Sequence, residues 1–562
     1  MNKTILALAL ATTCAASMSA QSALDAFAVS QSDMRGTAHF MSMAGAFTAL
    51  GGDMSTLNQN PAGIGVYRSS DITATIDVTA SSTKSLTGSW SSTDFNFNNI
   101  GYVGAFSLGS KSALTYFNWG FSYTRMASFD RRYRGGWNDL GTSLTNYVAD
   151  YMTIDGREQN WTPSTLDAFT PDYNPYSQIS APWLGILMYN TYGINTPNND
   201  ADQADYYGLY NYDNSTGTAE YDIEEKGYMD EYSINFGGNI KDVVYWGIGF
   251  GITDLQYRQN AYYGEAIKNA DVPSADGNGM AKGEASYGLN NWKHIYGNGF
   301  NLKVGVIVKP INELRIGLAV HTPTWYNLTT EGMAAVGYDY FSDSYPTNPG
   351  YSSANVKDYT NFTDYGYLDI FDWKLRSPWR LMAGVTGVIG GRAIVSADYE
   401  YRAYPSMTVK SGNGYKYGML SEDIKNYYEA SNTLRLGVEY RLSGSWSARA
   451  GYSYESSPVK ETAMNGDEVI FTAGADDTCA QPAFTLDRST QLVTCGLGYH
   501  YKNFYADIAY VHRYRRSKYQ AFTNYTENLE PNAFVTAPSD RLVLNDNSFV
   551  LSLGVLFCAA HH

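Results

Sequence analysis

The sequence predicts an all-β chain: a transmembrane antiparallel β-barrel of about 14 strands with an N-terminal luminal plug, or hatch. Three observations predict it. Segments in which apolar and small or polar residues alternate recur from Asp71 to Phe557. Short and long links alternate between those segments. An irregular, half-apolar stretch, Ala44 to Arg68, stands ahead of the first of them.

Lys3 supplies a positive start, Ile5 to Ala11 an apolar run and Ala15 to Ala20 a set of small residues, so residues 1–20 read as a signal peptide cut near Ala20-Gln21. Cys14 lacks the residues that usually precede a lipidated cysteine. Residues 21–70 are the expected plug. Phe47, Leu50, Met54, Leu57, Ile64 and Val66 seek burial, while Gly, Pro and Asn prevent a long helix. A short helix is expected from Ala44 to Leu50, stopped by Gly51-Gly52, and a second turn from Asp53 or Ser55. Asn60-Pro61-Ala62-Gly63 then makes a compact turn, with Pro61 fixing φ and Gly63 admitting a positive one.

Residues 71–557 are the expected barrel, followed by an extension over 558–562. The clearest alternations are Phe117, Trp119, Phe121, Tyr123 and Trp246, Ile248, Phe250, Ile252, the latter separated by Gly247, Gly249 and Gly251. Short links fall at Gly109 to Ala113, Lys241-Asp242, Pro310 to Asn312, Gly390 to Arg392, Ser443-Gly444 and Lys502-Asn503. Long ones fall at Met126 to Asp230, Arg258 to Asn298, Thr322 to Tyr365, Pro405 to Asn432, Ser457 to Thr490 and Arg515 to Asn547. The alternation holds if Tyr367 to Ile389 is one strand bent at Ser377-Pro378. That gives an even count with both ends on the periplasmic side.

Composition excludes other classes. No stretch offers about 18 to 20 continuous apolar residues, so no helical span is expected. The mean hydropathy of −0.33 does not oppose a barrel, whose lumen and loops are polar. Aromatics reach 15%, with 49 Tyr and 11 Trp, as interfacial girdles require. A formal charge of −16 argues against nucleic acid. Cys479 and Cys495 would close a short loop in an exported chain, but Cys495 shares the lipid-facing register of Val493 and Leu497. Gly247-Ile-Gly249-Phe-Gly251 imitates a nucleotide loop without the helix that must follow. The histidines are scattered and make no zinc pair. No enzyme, cofactor or metal site is read.

The pattern A-G-x-x-x-A, D-x-S-x-x-x-x-N-P-A, followed by a first strand, resembles the FadL-type outer-membrane transporters. Arg315 to Tyr326 and Lys374 to Tyr401 resemble the Bacteroidetes branch of that family. The resemblance implies outer-membrane location and passive uptake of long-chain fatty acids or similar hydrophobic compounds. It places the hatch motif at Asn60, Pro61 and Ala62, with Gly63 beside it, as a gating turn. It also implies a lateral gap at the third strand, Leu114 to Arg125, where Gly120 is the expected bend. Two other roles stay open: a FadL-like barrel that binds cargo of the type IX secretion system, and a haemin receptor with His321 or His39 as ligand. Arg125, Arg131, Arg132 and Arg134 are candidates for holding a fatty-acid carboxylate or lipopolysaccharide. The terminal aromatic Phe557 resembles the insertion signal read by the barrel-assembly machinery. His561-His562 reads equally as native sequence or as a tag remnant.

Overall fold

The computed structural model describes residues 22–557 apart from 110, 179–180, 198–204, 275–279, 343–350, 356–368, 471–480 and 527–532, together with 560–561. The expected signal peptide and Cys479 lie outside the described residues. Fourteen antiparallel strands form a closed ring. They are β1 (Ser70–Lys84), β2 (Ser89–Ser107), β3 (Leu114–Ser128), β4 (Thr216–Ile240), β5 (Val244–Pro273), β6 (Met280–Ile311), and β7 (Leu314–His321, continued by Trp325–Ser342). Then come β8 (Asp369–Arg376 and Arg380–Ile389), β9 (Ala393–Arg402 and Thr408–Ser411), β10 (Ser431–Arg441), β11 (Trp446–Glu455), β12 (Phe484–Tyr501), β13 (Phe504–Gln520) and β14 (Ser539–Phe557). The ring closes where β14 pairs with β1 from Ser70–Phe557 to Lys84–Val543. Closure matters because an open edge in hydrocarbon would strand backbone polar groups without partners.

The bend expected at Ser377-Pro378 is present. Both halves of β8 pair with the matching halves of β7, which itself bends at Pro323. The two bends are tied together, since Thr324 N–H donates to Ser377 Oγ at 2.8 Å and Ser377 N–H to the Thr324 carbonyl at 3.1 Å. Outward positions such as Ile72, Ile248, Phe250, Leu318, Val385, Leu436 and Leu553 are exposed, and form an apolar band. Trp325, Trp379 and Tyr401 edge it on the outer side, Trp446 and Tyr501 on the inner. This is a transmembrane barrel of the outer-membrane kind; among the described residues no helix is long and apolar enough to cross a membrane. Cys495 lies on the exposed side and has no disulfide partner among the described residues.

The strands are longer than the apolar pattern shows. β5 and β6 run for 30 and 32 residues, so Arg258 to Asn298, expected as a loop, is mostly ladder. The outward positions there are Arg258, Asn260 and Tyr262, because this part of the sheet stands in water. Above the membrane the described loops pack into a cap with its own core, in which helices Leu144–Gln159 and Trp183–Asn190 sit on the inward faces of β4 to β7.

Upward of the Arg402–Ser431 pair, β9 keeps only β8 as a partner. Upward of Asn99–Thr124, β2 keeps only β1, while β3 stays with β4. The ring is therefore closed through most of the apolar band and parted at two places higher up, the parting beside β2 starting where Phe97 and Phe95 still face outward.

Candidate functional site

Residues from Ser22 to Tyr67 lie inside the barrel and are mostly buried, with Ser30 to Arg35 half-buried. They comprise α1 (Ala23–Ala28), α2 (Ala38–Ser42), α3 (Thr56–Gln59) and a 3₁₀ turn over Pro61–Val66. Ser22 caps α1 and Thr37 caps α2, each side chain accepting the N–H three residues on. The helix expected at Ala44 to Leu50 is instead α2, because Ala44 (φ 52°) and Gly45 (φ 73°) are left-handed and turn the chain. Gly51 and Gly52 are also left-handed, whereas Gly63 is not. A side chain at Gly63 would collide with Thr56, so its smallness serves close packing.

The segment is fixed to the wall at three levels. At the top, Lys293 Nζ donates to Asp25 at 2.7 Å, and Phe27 stacks on Tyr428 with centroids 4.5 Å apart. Around α1 the wall supplies Leu255, Ile295, Leu328, Trp373 and Leu375, an apolar chamber that α1 fills. In the middle, Arg35 donates to Asp77 at 3.1 Å, and Asp33 accepts from Arg513 at 2.9 Å. Burial opposes the Asp33 charge, but Arg513, Arg35 and Arg515 outweigh it and lower its pKa to about 2. At the bottom, Thr48 N–H donates to Asp398 at 2.7 Å and Asn118 Nδ2 to the Ile64 carbonyl at 2.6 Å.

The Asn60 turn joins these contacts. Its Nδ2 donates to the Thr48 carbonyl at 2.6 Å, and its Oδ1 accepts from Ala62 N–H at 3.1 Å. His321 holds the neighbouring Gln59 carbonyl at 2.8 Å. Wall glycines make the approach feasible. A side chain at Gly247 would meet the Pro61 carbonyl, one at Gly305 the Asn60 side chain, and one at Gly317 the Thr48 carbonyl. The lumen-facing glycines of β5 were legible in the sequence; their backbone partners were not.

Gly120, the expected bend, lies in unbroken ladder between Val103 on β2 and Asn235 on β4, and its bare Cα leaves room for Ile64. The parting of β2 from β3 begins above it. There Arg125 pairs with Asp230 at 2.9 Å and reaches Asn96 at 3.4 Å across the gap. Arg131 pairs with Glu225 and Arg132 with Asp222, from a short strand, Arg131–Trp137, on the edge of β4. The expected carboxylate-binding arginines thus already hold carboxylates of the chain, except that Arg134 faces solvent. Behind the parting lies a cavity of about 70 Å³, lined by Gln31 and Asp33 of the N-terminal segment, Trp90 and Ser92 of β2, and Ser128 to Arg132.

Sequence reasoning missed a second group. Arg380, Arg402 and Arg435 surround Glu400, which is fully buried. The signal was there in the inward register of β9 and β10, where Asp398, Glu400 and Arg402 alternate with Tyr399 and Tyr401, and Arg435 sits between Leu434 and Leu436.

No family model matches the chain, and no curated protein does. Among solved structures it is similar to a Pseudomonas aeruginosa FadL homologue, with 14% identity, 94% of this chain and 99% of that one covered, and a TM-score of 0.46. It is also similar to the Ralstonia pickettii toluene transporter TbuX, with 14% identity, 93% and 99% covered and a TM-score of 0.40. The Pseudomonas putida toluene transporter TodX gives 14% identity, 94% and 100% covered and a TM-score of 0.41. The barrel itself is established by the strand pairing.

Proposed function

We propose that this protein is a channel for passive uptake of hydrophobic or amphiphilic small molecules, with long-chain fatty acids as the leading class. The observation that carries this reading is the parting of β2 from β3 above Asn99–Thr124, with a cavity behind it that touches the N-terminal segment. A lumen threaded by Ser22 to Tyr67 does not suit an open pore for hydrophilic solutes. A sideways exit suits an apolar solute, which gains nothing from a water-filled path and is received by lipid on leaving. The N-terminal segment acts as the plug, and the Asn60-Pro61 turn keeps it seated.

The test is to bridge the parting. Cysteines replacing Asn96 and Arg125, in a chain whose own cysteines are serines, are joined by a short bifunctional thiol reagent. Uptake of a labelled fatty acid should fall when the bridge forms and recover with a cleavable reagent. Unchanged uptake with a complete bridge would reject the sideways route.

A further inference from the structure

We infer that Arg380, Arg402 and Arg435 form a binding site for a small oxyanion, a carboxylate or phosphate group, on the outward side of the N-terminal segment. Arg380 Nε and Arg402 Nε donate to Glu400 Oε1 at 2.8 and 2.7 Å, and Arg435 Nη2 to Oε2 at 2.6 Å. Three guanidinium groups thus share one carboxylate. Glu455 lines the same cavity and Asp398 stands opposite Arg435 on β9, so three carboxylates face the three guanidinium groups.

Two polar groups point to where it sits. Among the described residues, Arg435 Nη1 and Thr433 Oγ1 are buried without a hydrogen-bond partner. Both residues belong to β10, two apart and therefore on the same inward face, and both line a cavity of about 60 Å³. Arg435 is 7% and Thr433 2% exposed. Buried donors in folded proteins are nearly always satisfied, and an orphan beside a cavity calls for an occupant. A guanidinium edge and a hydroxyl suit an oxyanion, since arginine binds carboxylate and phosphate through paired N–H groups. The space takes the oxyanion group itself, and any alkyl tail on it would lie outside the cavity. Ser32, Asn58 and Gln59 line it from the other side, so the anion would bridge plug and wall. This site does not depend on the transport reading.

Thermal unfolding of the full-length protein in neutral detergent tests it, at constant ionic strength with chloride as background. Sodium phosphate, sodium octanoate and octanol are titrated separately. A saturable rise in midpoint with phosphate and octanoate assigns a site for the oxyanion itself. A rise with octanoate alone assigns one that reads the anion on an apolar tail. Arg435→Gln should weaken the response about tenfold, the scale of a lost charged hydrogen bond, and Arg435→Lys should keep part of it. Thr433→Val, which leaves every charge in place, should weaken it too and serves if Arg435→Gln does not fold. An equal response to octanol, an undiminished response in both Arg435→Gln and Thr433→Val, or no response to either anion in the wild type would overturn the assignment.

Discussion

His39 Nε2 lies 2.9 Å from Glu439 Oε2, so one imidazole ties α2 of the N-terminal segment to the barrel wall at β10. Its other nitrogen is 3.3 Å from Asp53. Burial and the nearby Arg449 oppose a proton on this ring. The hydrogen bonds to Asp53 and Glu439 outweigh them and raise its pKa from 6.5 to about 9.

A raised pKa makes this tie a stabilising contact of protonated histidine, fully present below pH about 6.5 and lost as pH rises through about 9. Hydrogen exchange at the amides of Ala38–Ser42 should therefore speed up between pH 7 and pH 10 by more than base catalysis accounts for. In His39→Gln that excess should vanish. An equal excess in both proteins would remove His39 from the account.

Gly247→Leu should unseat the plug and spare the barrel. The new side chain faces the Pro61 carbonyl with no free space, and overpacking of this kind costs about 1–3 kcal/mol. Single-channel recording should show larger or more frequent openings to small ions, with heat-modifiable migration unchanged. Silent channels would mean that the turn yields elsewhere.

The double change Asn60→Ala, Pro61→Ala removes the tie to Thr48, the cap on Ala62 and the restriction on φ at once. Loss of a capping side chain alone costs about 0.5–2 kcal/mol. Insertion should be normal, while leak of small solutes rises and uptake of a labelled fatty acid changes. Both fluxes at the wild-type level would deny this turn a gating role.

Phe27→Ala removes the ring stacked on Tyr428 and should loosen α1 from its chamber, with a cost of about 3–5 kcal/mol for a buried phenylalanine. A fluorescent fatty-acid analogue should bind the variant more tightly, because the chamber no longer has to be vacated first. Weaker binding would show that α1 forms part of the ligand site.

The barrel was legible because lipid imposes a strict rule on each strand that crosses it. Ile248 and Phe250 had to face hydrocarbon, Gly247 and Gly249 the lumen, and the alternation showed the strand count and the bend at Pro378. Above the membrane the rule lapses. Asn260 and Tyr262 on β5 continue the same ladder but meet water, so their pattern reads as a loop. The partners of the arginines were hidden for another reason: Arg35 meets Asp77, and Arg435 meets Glu400, across ladders and the lumen, and no local period records such pairings. Arg125, Arg131 and Arg132 looked like free cations in a row until β4 supplied their carboxylates.

The two partings in the wall, beside β2 and beside β9, divide the part above the membrane into facing plates. One carries the upper ends of β12, β13, β14, β1 and β2, and the other the Arg131–Trp137 strand with β4 to β9. Only within lipid must every strand keep both neighbours; in water a free edge is tolerated. What joins the plates above the ring is side-chain contact and not ladder: Tyr221 stacks on Tyr519 at 3.9 Å and donates to Asp540 at 2.7 Å, and Ser85 Oγ donates to the Arg134 carbonyl at 2.6 Å. At the level of Thr124 and Arg402, where the partings begin, the N-terminal segment is held by Arg35, Asp33 and Ser32. Parting Tyr221 from Tyr519 would leave every ladder bond of the ring in place.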